Sequence, residues 1–184
     1  MNKPKQSVDL GHFWQPPAPG TLRINIDGAY TSGHTEGSIA FICRDKSGCL
    51  QEGLTRSVQA ASALQTEAQA LIFALRHLLQ QGKMSTSLEI DSDCLLLVES
   101  LNNHQEPPWE IRPLVYEAVD LCRQFINLNI RFCKRETNCV ADWAAKAHNN
   151  GTLSPSWAVS PPPPFLSLLI SDTVAAACIS FPYL

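Results

Sequence analysis

At 184 residues, with 45% hydrophobic and 17% charged side chains, the chain has the length of one domain with tails and a composition that excludes an intrinsically disordered protein. No apolar run approaches the roughly 18 residues needed to span a bilayer, and the start of the chain, with Lys3, Lys5 and Asp9 but no apolar centre, is no signal peptide, so an intracellular protein of cytoplasm or nucleus is expected, with no membrane partner. The seven cysteines are odd in number and form no C-x-x-C pair, so they argue against a disulfide framework or structural zinc and read as small buried thiols, while the net charge of −3 argues against tight nonspecific binding of nucleic acid.

Residues 1–20 are polar and proline-rich, ending Pro16-Pro17-Ala18-Pro19-Gly20, and read as a flexible leader. Leu22, Ile24 and Ile26 alternate with Arg23, Asn25 and Asp27, the period of a strand with one buried face. Ser38 to Cys43 is apolar on both parities and predicts a strand buried on both sides. Asp45-Lys46-Ser47-Gly48 predicts a hairpin turn, and residues 49–56 a third strand. Over 61–81 the residues Leu64, Ala68, Leu71, Leu75 and Leu78 recur at helical spacing, with Gly82 as the stop.

Leu88 and Ile90 alternate with Glu89 and Asp91 in a fourth strand. A short helix over 93–102 follows, for which Ser92 is the expected N-cap. Beyond Pro107-Pro108 come a helix over 109–126, a fifth strand at Leu128, Ile130 and Phe132, and a last helix over 138–148. The order β-β-β-α-β-α-α-β-α predicts an α/β fold: a five-stranded mixed sheet, an antiparallel meander followed by parallel strands reached through helices, with helices on its faces. The expected division is a leader over 1–20, the folded domain over 21–150, and a tail over 151–184. In that tail Pro161 to Pro164 read as an extended spacer, and the apolar Phe165, Leu168, Leu169, Ile170, Phe181 and Tyr183 either dock on the domain, lack fixed structure or meet a partner.

Several acidic residues are badly placed for stability alone. Asp27 ends the first strand opposite its apolar face, and Asp91 and Asp93 do the same at the fourth. Glu67 borders the apolar stripe of the first helix, and Asp142 lies among alanines beside Trp143. Taken singly, a strand-end Asp opens a turn and a helical Glu faces water. If the first and fourth strands are neighbours, Asp27 and Asp93 project side by side and the helix carries Glu67 over them. Carboxylates held that close repel unless a cation neutralises them. Mg²⁺ is the natural choice, and two such ions about 3.5–4 Å apart suit phosphodiester hydrolysis without any nucleophilic side chain. No alternative chemistry competes: the five histidines fall in no metal-ligand spacing, and there is no G-x-S-x-G and no glycine-rich phosphate loop.

Five stretches then carry a resemblance. Ile24-Asn25-Ile26-Asp27-Gly28-Ala29, Arg44-Asp45-Lys46-Ser47-Gly48, Glu67-Ala68-Gln69-Ala70-Leu71, Asp91-Ser92-Asp93-Cys94-Leu95 and Arg135-Glu136-Thr137-Asn138-Cys139-Val140-Ala141-Asp142 occur in order between about Leu22 and His148. This segment resembles type-1 RNase H domains, in particular the reverse-transcriptase-like domains of plant genomes that derive from non-LTR retroelements. The resemblance implies a metal-dependent endonuclease that cleaves the RNA strand of RNA–DNA hybrids. It makes Asp27, Glu67, Asp93 and Asp142 the catalytic metal ligands for two Mg²⁺ ions, which Mn²⁺ can replace. It assigns Asp93 rather than Asp91 to the site, and leaves Asp91 to tune the site or face solvent.

Three departures from the family stand out. The loop Lys134-Arg135-Glu136-Thr137 carries no histidine, the basic helical protrusion is absent between 103 and 110, and Ala144 replaces a leucine. Arg44, Lys134 and Arg135 are the foremost candidate phosphate contacts, with Glu136 as a proton carrier; Lys46, Arg56 and Arg131 are further candidates. Trp109 and Trp143 are expected in core or rim packing rather than stacked on nucleic acid. A monomer is expected. The alternative reading is a catalytically weak or inactive module of the same fold that binds nucleic acid or protein.

Overall fold

The computed structural model describes residues 13–102 and 104–180, with side chains to residue 177. Residues 1–12 of the expected leader, Phe181 and Tyr183 of the expected tail, and the side chain of Cys178 lie outside the described residues. The meander is β1 (Thr21–Tyr30), β2 (Glu36–Arg44) and β3 (Leu50–Gln59); α1 (Ala63–Gln80) follows. Then come β4 (Ser87–Ser92), α2 (Leu95–Leu101), α3 (Arg112–Cys122), β5 (Leu128–Phe132), α4 (Cys139–Asn149) and α5 (Pro163–Ser180).

The sheet has five strands in the order β3-β2-β1-β4-β5. β1 and β3 flank β2 antiparallel, whereas β4 lies parallel to both β1 and β5. The fold is therefore the α/β mixed sheet that the strand periodicities imply. β1 runs three residues past Asp27 to Tyr30, because its pairing with β2 continues through Tyr30↔Gly37. Asp27 thus sits inside a central strand rather than at its end.

Two cores cover the two faces of the sheet. On one, Ile24, Ile26, Phe41 and Ile90 pack against Leu71 and Leu75 of α1, with α2 and α3 outside. On the other, Ala40 and Ile42 meet Ala141 and Ala144 of α4 and Phe165 of α5. This accounts for the apolar parity of β2 on both sides. The small residue at Ala144, wholly buried, lets α4 lie close on the strands.

Local signals fix both ends of α1. Ser62 caps α1 by accepting from the Gln65 N–H at 3.2 Å, and Gly82 closes it at φ 68°. In the β2–β3 turn Gly48 takes φ 75°, and Asp45 Oδ1 accepts from the N–H groups of Ser47 and Cys49. Ser92, expected to cap a helix from 93, instead accepts from the Cys94 N–H at 3.1 Å; α2 starts only at Leu95, and Asp93 is left in the intervening turn. The proline stretch is not an extended spacer, since Pro163 and Pro164 open α5, where a missing N–H costs nothing.

α5 docks through Phe165, which is fully buried and meets Trp157 at 5.1 Å and Trp143 at 5.7 Å between ring centroids. Burying that ring is worth on the order of 2–3 kcal/mol. Trp109, expected in packing, is 83% exposed. Of the six described cysteines, all free, only Cys43 is buried and Cys49 is exposed, which corrects the expectation of uniformly buried thiols. Among the described residues no helix is long and apolar enough to cross a membrane.

Candidate metal centre

Asp27, Glu67 and Asp93 converge at one point. Each offers a carboxylate oxygen, and these oxygens lie within 4.8 Å of one another. β1 supplies Asp27 from the sheet, the turn after β4 supplies Asp93, and the second turn of α1 supplies Glu67. The close approach of α1 to β1 depends on Gly28. A Cβ there would stand 2.7 Å from the Thr66 carbonyl carbon and 2.8 Å from the Glu67 nitrogen, so only glycine lets Glu67 reach the strand. The Gly28 N–H also donates to the Glu67 carboxylate. Asp142 lies in the first turn of α4 and lines the same cleft, of about 720 Å³, together with Arg135 and Lys146.

Burial and mutual repulsion dominate the electrostatics of the three converging acids. Burial, then the charges of Glu67, Asp93 and Asp142, push the Asp27 carboxyl far above the ordinary carboxylate range, and Lys146 opposes this. Burial and the Asp93 charge push Glu67 up, against the lowering pull of the Gly28 N–H and of a hydrogen bond with Asp27. Asp93 is raised by burial, with Arg135 opposing. Carboxyls this close repel one another unless protons or a cation lie among them. The Glu67 Oε2 atom is buried with no hydrogen-bond partner among the described residues. Orphaned acceptors of this kind are rare in proteins. A hard divalent cation fits the donor set, because it would give that oxygen a partner and replace the shared protons.

The other singled-out residues divide into two groups. Asp142 is held on both oxygens, Oδ1 by Arg135 at 3.1 Å and Oδ2 by Lys146 at 2.7 Å. Arg135 therefore stands at the cleft, while Lys134 and Glu136 are exposed on the same loop. Arg44 does not reach the site. It is fully buried on the sheet face under α5, so the expectation that it contacts phosphate does not hold. Arg131 is spent on Asp91, gripping Oδ1 at 2.8 Å and Oδ2 at 3.1 Å. Asp91 is 4% exposed, within 3.7 Å of Arg23 as well, so it neither faces solvent nor lines the cleft.

Sequence reasoning overlooked Lys146, four residues after Asp142 and thus on its helical face. It also passed over two asparagines beneath the site. Asn138 is wholly buried at the head of α4 and donates its amide to the Ile26 carbonyl at 2.9 Å. Its own Oδ1 accepts from the Asn25 amide at 3.0 Å, and Asn25 Oδ1 accepts from Arg44 at 2.7 Å. The signal was a polar residue between two isoleucines in a strand beside the doubly buried β2.

The fold has counterparts among known proteins. A family model described as reverse transcriptase-like matches residues 25–148. No curated protein matches the chain. RNase H1 from the halophilic archaeon Halobacterium salinarum NRC-1 superposes with TM-score 0.65 at 22% identity, over 72% of this chain and 99% of that one. LC11-RNase H1, isolated from compost and solved in complex with an RNA/DNA hybrid, gives TM-score 0.64 at 19% identity, over 72% of this chain and 99% of that one. The N-terminal RNase H domain of rv2228c from Mycobacterium tuberculosis gives 0.61 at 20% identity, over 72% and 95%.

Proposed function

Because the chain belongs to the reverse transcriptase-like family and has the fold of RNase H1, we propose that it is a metal-dependent endonuclease hydrolysing the RNA strand of RNA–DNA hybrids by a two-metal-ion mechanism. Asp27, Glu67, Asp93 and Asp142 are the ligands in this reading. The observation that carries it is the set of three carboxylates whose oxygens lie within 4.8 Å of one another, one of them with a buried oxygen that has no partner among the described residues. Two Mg²⁺ ions, or Mn²⁺ in their place, would supply charge neutralisation, a more acidic water and stabilisation of the departing oxygen.

The chain's own groups do the rest. Asp27 and Glu67 are fixed by a strand and a helix packed at Gly28, which limits the reorganisation needed on loading. Arg135 and Lys146 orient Asp142 and bring positive charge to the cleft, where the phosphates of a strand would run. Lys134 adds a cation on the same loop, and the exposed Glu136 is the group available to carry a proton. The hybrid itself is read by shape, phosphates and 2′-hydroxyls rather than by base edges.

The second reading, a weak or inactive module of the same fold, draws on one observation: the loop Lys134-Arg135-Glu136-Thr137 has no histidine to move protons. Cleavage of an end-labelled RNA–DNA hybrid in Mg²⁺ or Mn²⁺, comparing wild type with Asp93→Asn, separates the two. Loss of cleavage in the variant supports the nuclease. Equal residual cleavage in both proteins discards the mechanism, and binding without cleavage supports the module.

A further inference from the structure

The two segments that flank the matched region meet at one buried side chain. Trp14 precedes that region and Asp172 follows it, and both close on Arg44. The Arg44 guanidinium carbon lies 3.8 Å from the centroid of the Trp14 ring, and Trp14 is itself 2% exposed. Asp172 Oδ2 accepts from Arg44 Nη1 at 2.7 Å. Arg44 Nη2 donates to Asn25, Asn25 to Asn138, and Asn138 to the backbone carbonyl of Ile26. That chain ends one residue before Asp27 and four before Asp142. It runs from α5 along one face of the sheet to the head of α4.

Each link has one direction in which it can be satisfied. Asn25 Oδ1 accepts from Arg44, and its amide must then point at Asn138. Asn138 in turn has its oxygen occupied, so its amide is turned to Ile26. The buried guanidinium thus sets the sense of both amides, and with it the spacing between β1 and the head of α4. A charge buried to this depth persists only if it is paired, and the stacked indole and the α5 carboxylate do the pairing.

Building on the nuclease reading, we propose that Asp172 and Trp14 are positioning residues: they hold Arg44 so that the Asn25–Asn138 pair fixes Asp142 against Asp27. The segments outside the matched region are in that case part of the site's frame, and Asp172 acts on the cleft without touching it.

The test separates position from stability. Asp172→Ala leaves Arg44 buried without its carboxylate, so both thermal stability and cleavage fall. The double variant Arg44→Met with Asp172→Leu removes both charges together and keeps an apolar contact under α5, so stability returns. The Asn25 carbonyl still lacks its donor in that protein. Its kcat on the hybrid is expected to stay about tenfold below wild type with KM little changed, as a displaced ligand demands. The side-chain amide resonances of Asn25 and Asn138 are expected to exchange slowly in the wild type and to lose that protection in both variants. Recovery of kcat along with stability in the double variant, or unaltered amide resonances, overturns the proposal. Should the wild type cleave no hybrid, the nuclease reading fails by itself, and the amide resonances still decide whether Asp172 orders the pair.

Discussion

Replacing Asp27 by asparagine should stabilise the metal-free protein. Asp27 is 4% exposed, and its carboxyl is raised first by burial and then by Glu67, Asp93 and Asp142. Unfolding releases the group into water, where it ionises near the ordinary value of about 3.9. A carboxyl whose folded pKa is raised contributes stability that is complete below the unfolded value and is lost as the pH climbs through the folded one. Between about pH 3.9 and an assay at pH 7 lie roughly three pH units at about 1.4 kcal/mol each, a ceiling of about 4 kcal/mol. Sharing the proton among three carboxyls and local relaxation bring the expected gain to roughly 2 kcal/mol. For a chain of this length that is about 4–8 °C in Tm. The asparagine keeps the shape of the side chain and can donate to Glu67 and Asp93 without a borrowed proton. Thermal melts in chelator from pH 5 to 8 check this: the advantage of Asp27→Asn should widen as the pH rises, and added Mn²⁺ should raise the wild-type Tm more than that of the variant. An equal or lower Tm for the variant at pH 7, or a gap that does not grow with pH, refutes the reasoning.

Two further outcomes follow from the packing. Gly28→Ala forces a methyl against the backbone of Thr66 and Glu67, at a cost of about 1–3 kcal/mol in chemical denaturation. The same shift moves Glu67 away from Asp27, so calorimetric titration should show weaker Mn²⁺ binding. Asp91→Asn breaks a buried contact with the half-exposed Arg131 and should cost about 2 kcal/mol. Hybrid cleavage per folded molecule should nevertheless persist, in contrast to Asp93→Asn, because Asp91 lies outside the cleft; loss of cleavage in a folded Asp91→Asn protein would place that residue in the site.

The sheet was legible because its signals are local. Alternation in β1 and β4, the doubly apolar β2, and the helical spacing in α1 each reflect a burial pattern repeated within a few residues. The three converging acids were legible for the converse reason, as charges in places where charge costs stability. Arg44 was misread because nothing near it in the chain reveals its partner: Asp172 lies 128 residues away. Asn25 and Asn138 escaped for a related reason. The face of β1 that carries Arg23 and Asn25 alternates like a solvated one, yet α4 and the flanking segments cover it. The strand next to a doubly buried β2 could have been inferred to lie under the same cover. Asp91 shows the limit of parity, which reported its face but not the arginine waiting there.

The position of β1 between an antiparallel and a parallel neighbour bears on the order of folding. Pairing with β2 needs only a short reversal, whereas Arg23 of β1 and Glu89 of β4 are 66 residues apart in sequence. Closing so long a loop carries an entropy cost that the meander does not meet, so the parallel register forms late. Asp27 is accordingly in its strand before Asp93 is anywhere near it. A nascent or truncated chain with only the meander and α1 presents two of the three converging carboxylates, so a divalent ion would find its full ligand set only on the nearly finished protein. In the nuclease reading, a bound divalent ion would therefore act chiefly by slowing unfolding, and would contribute little to the speed with which the chain first collapses.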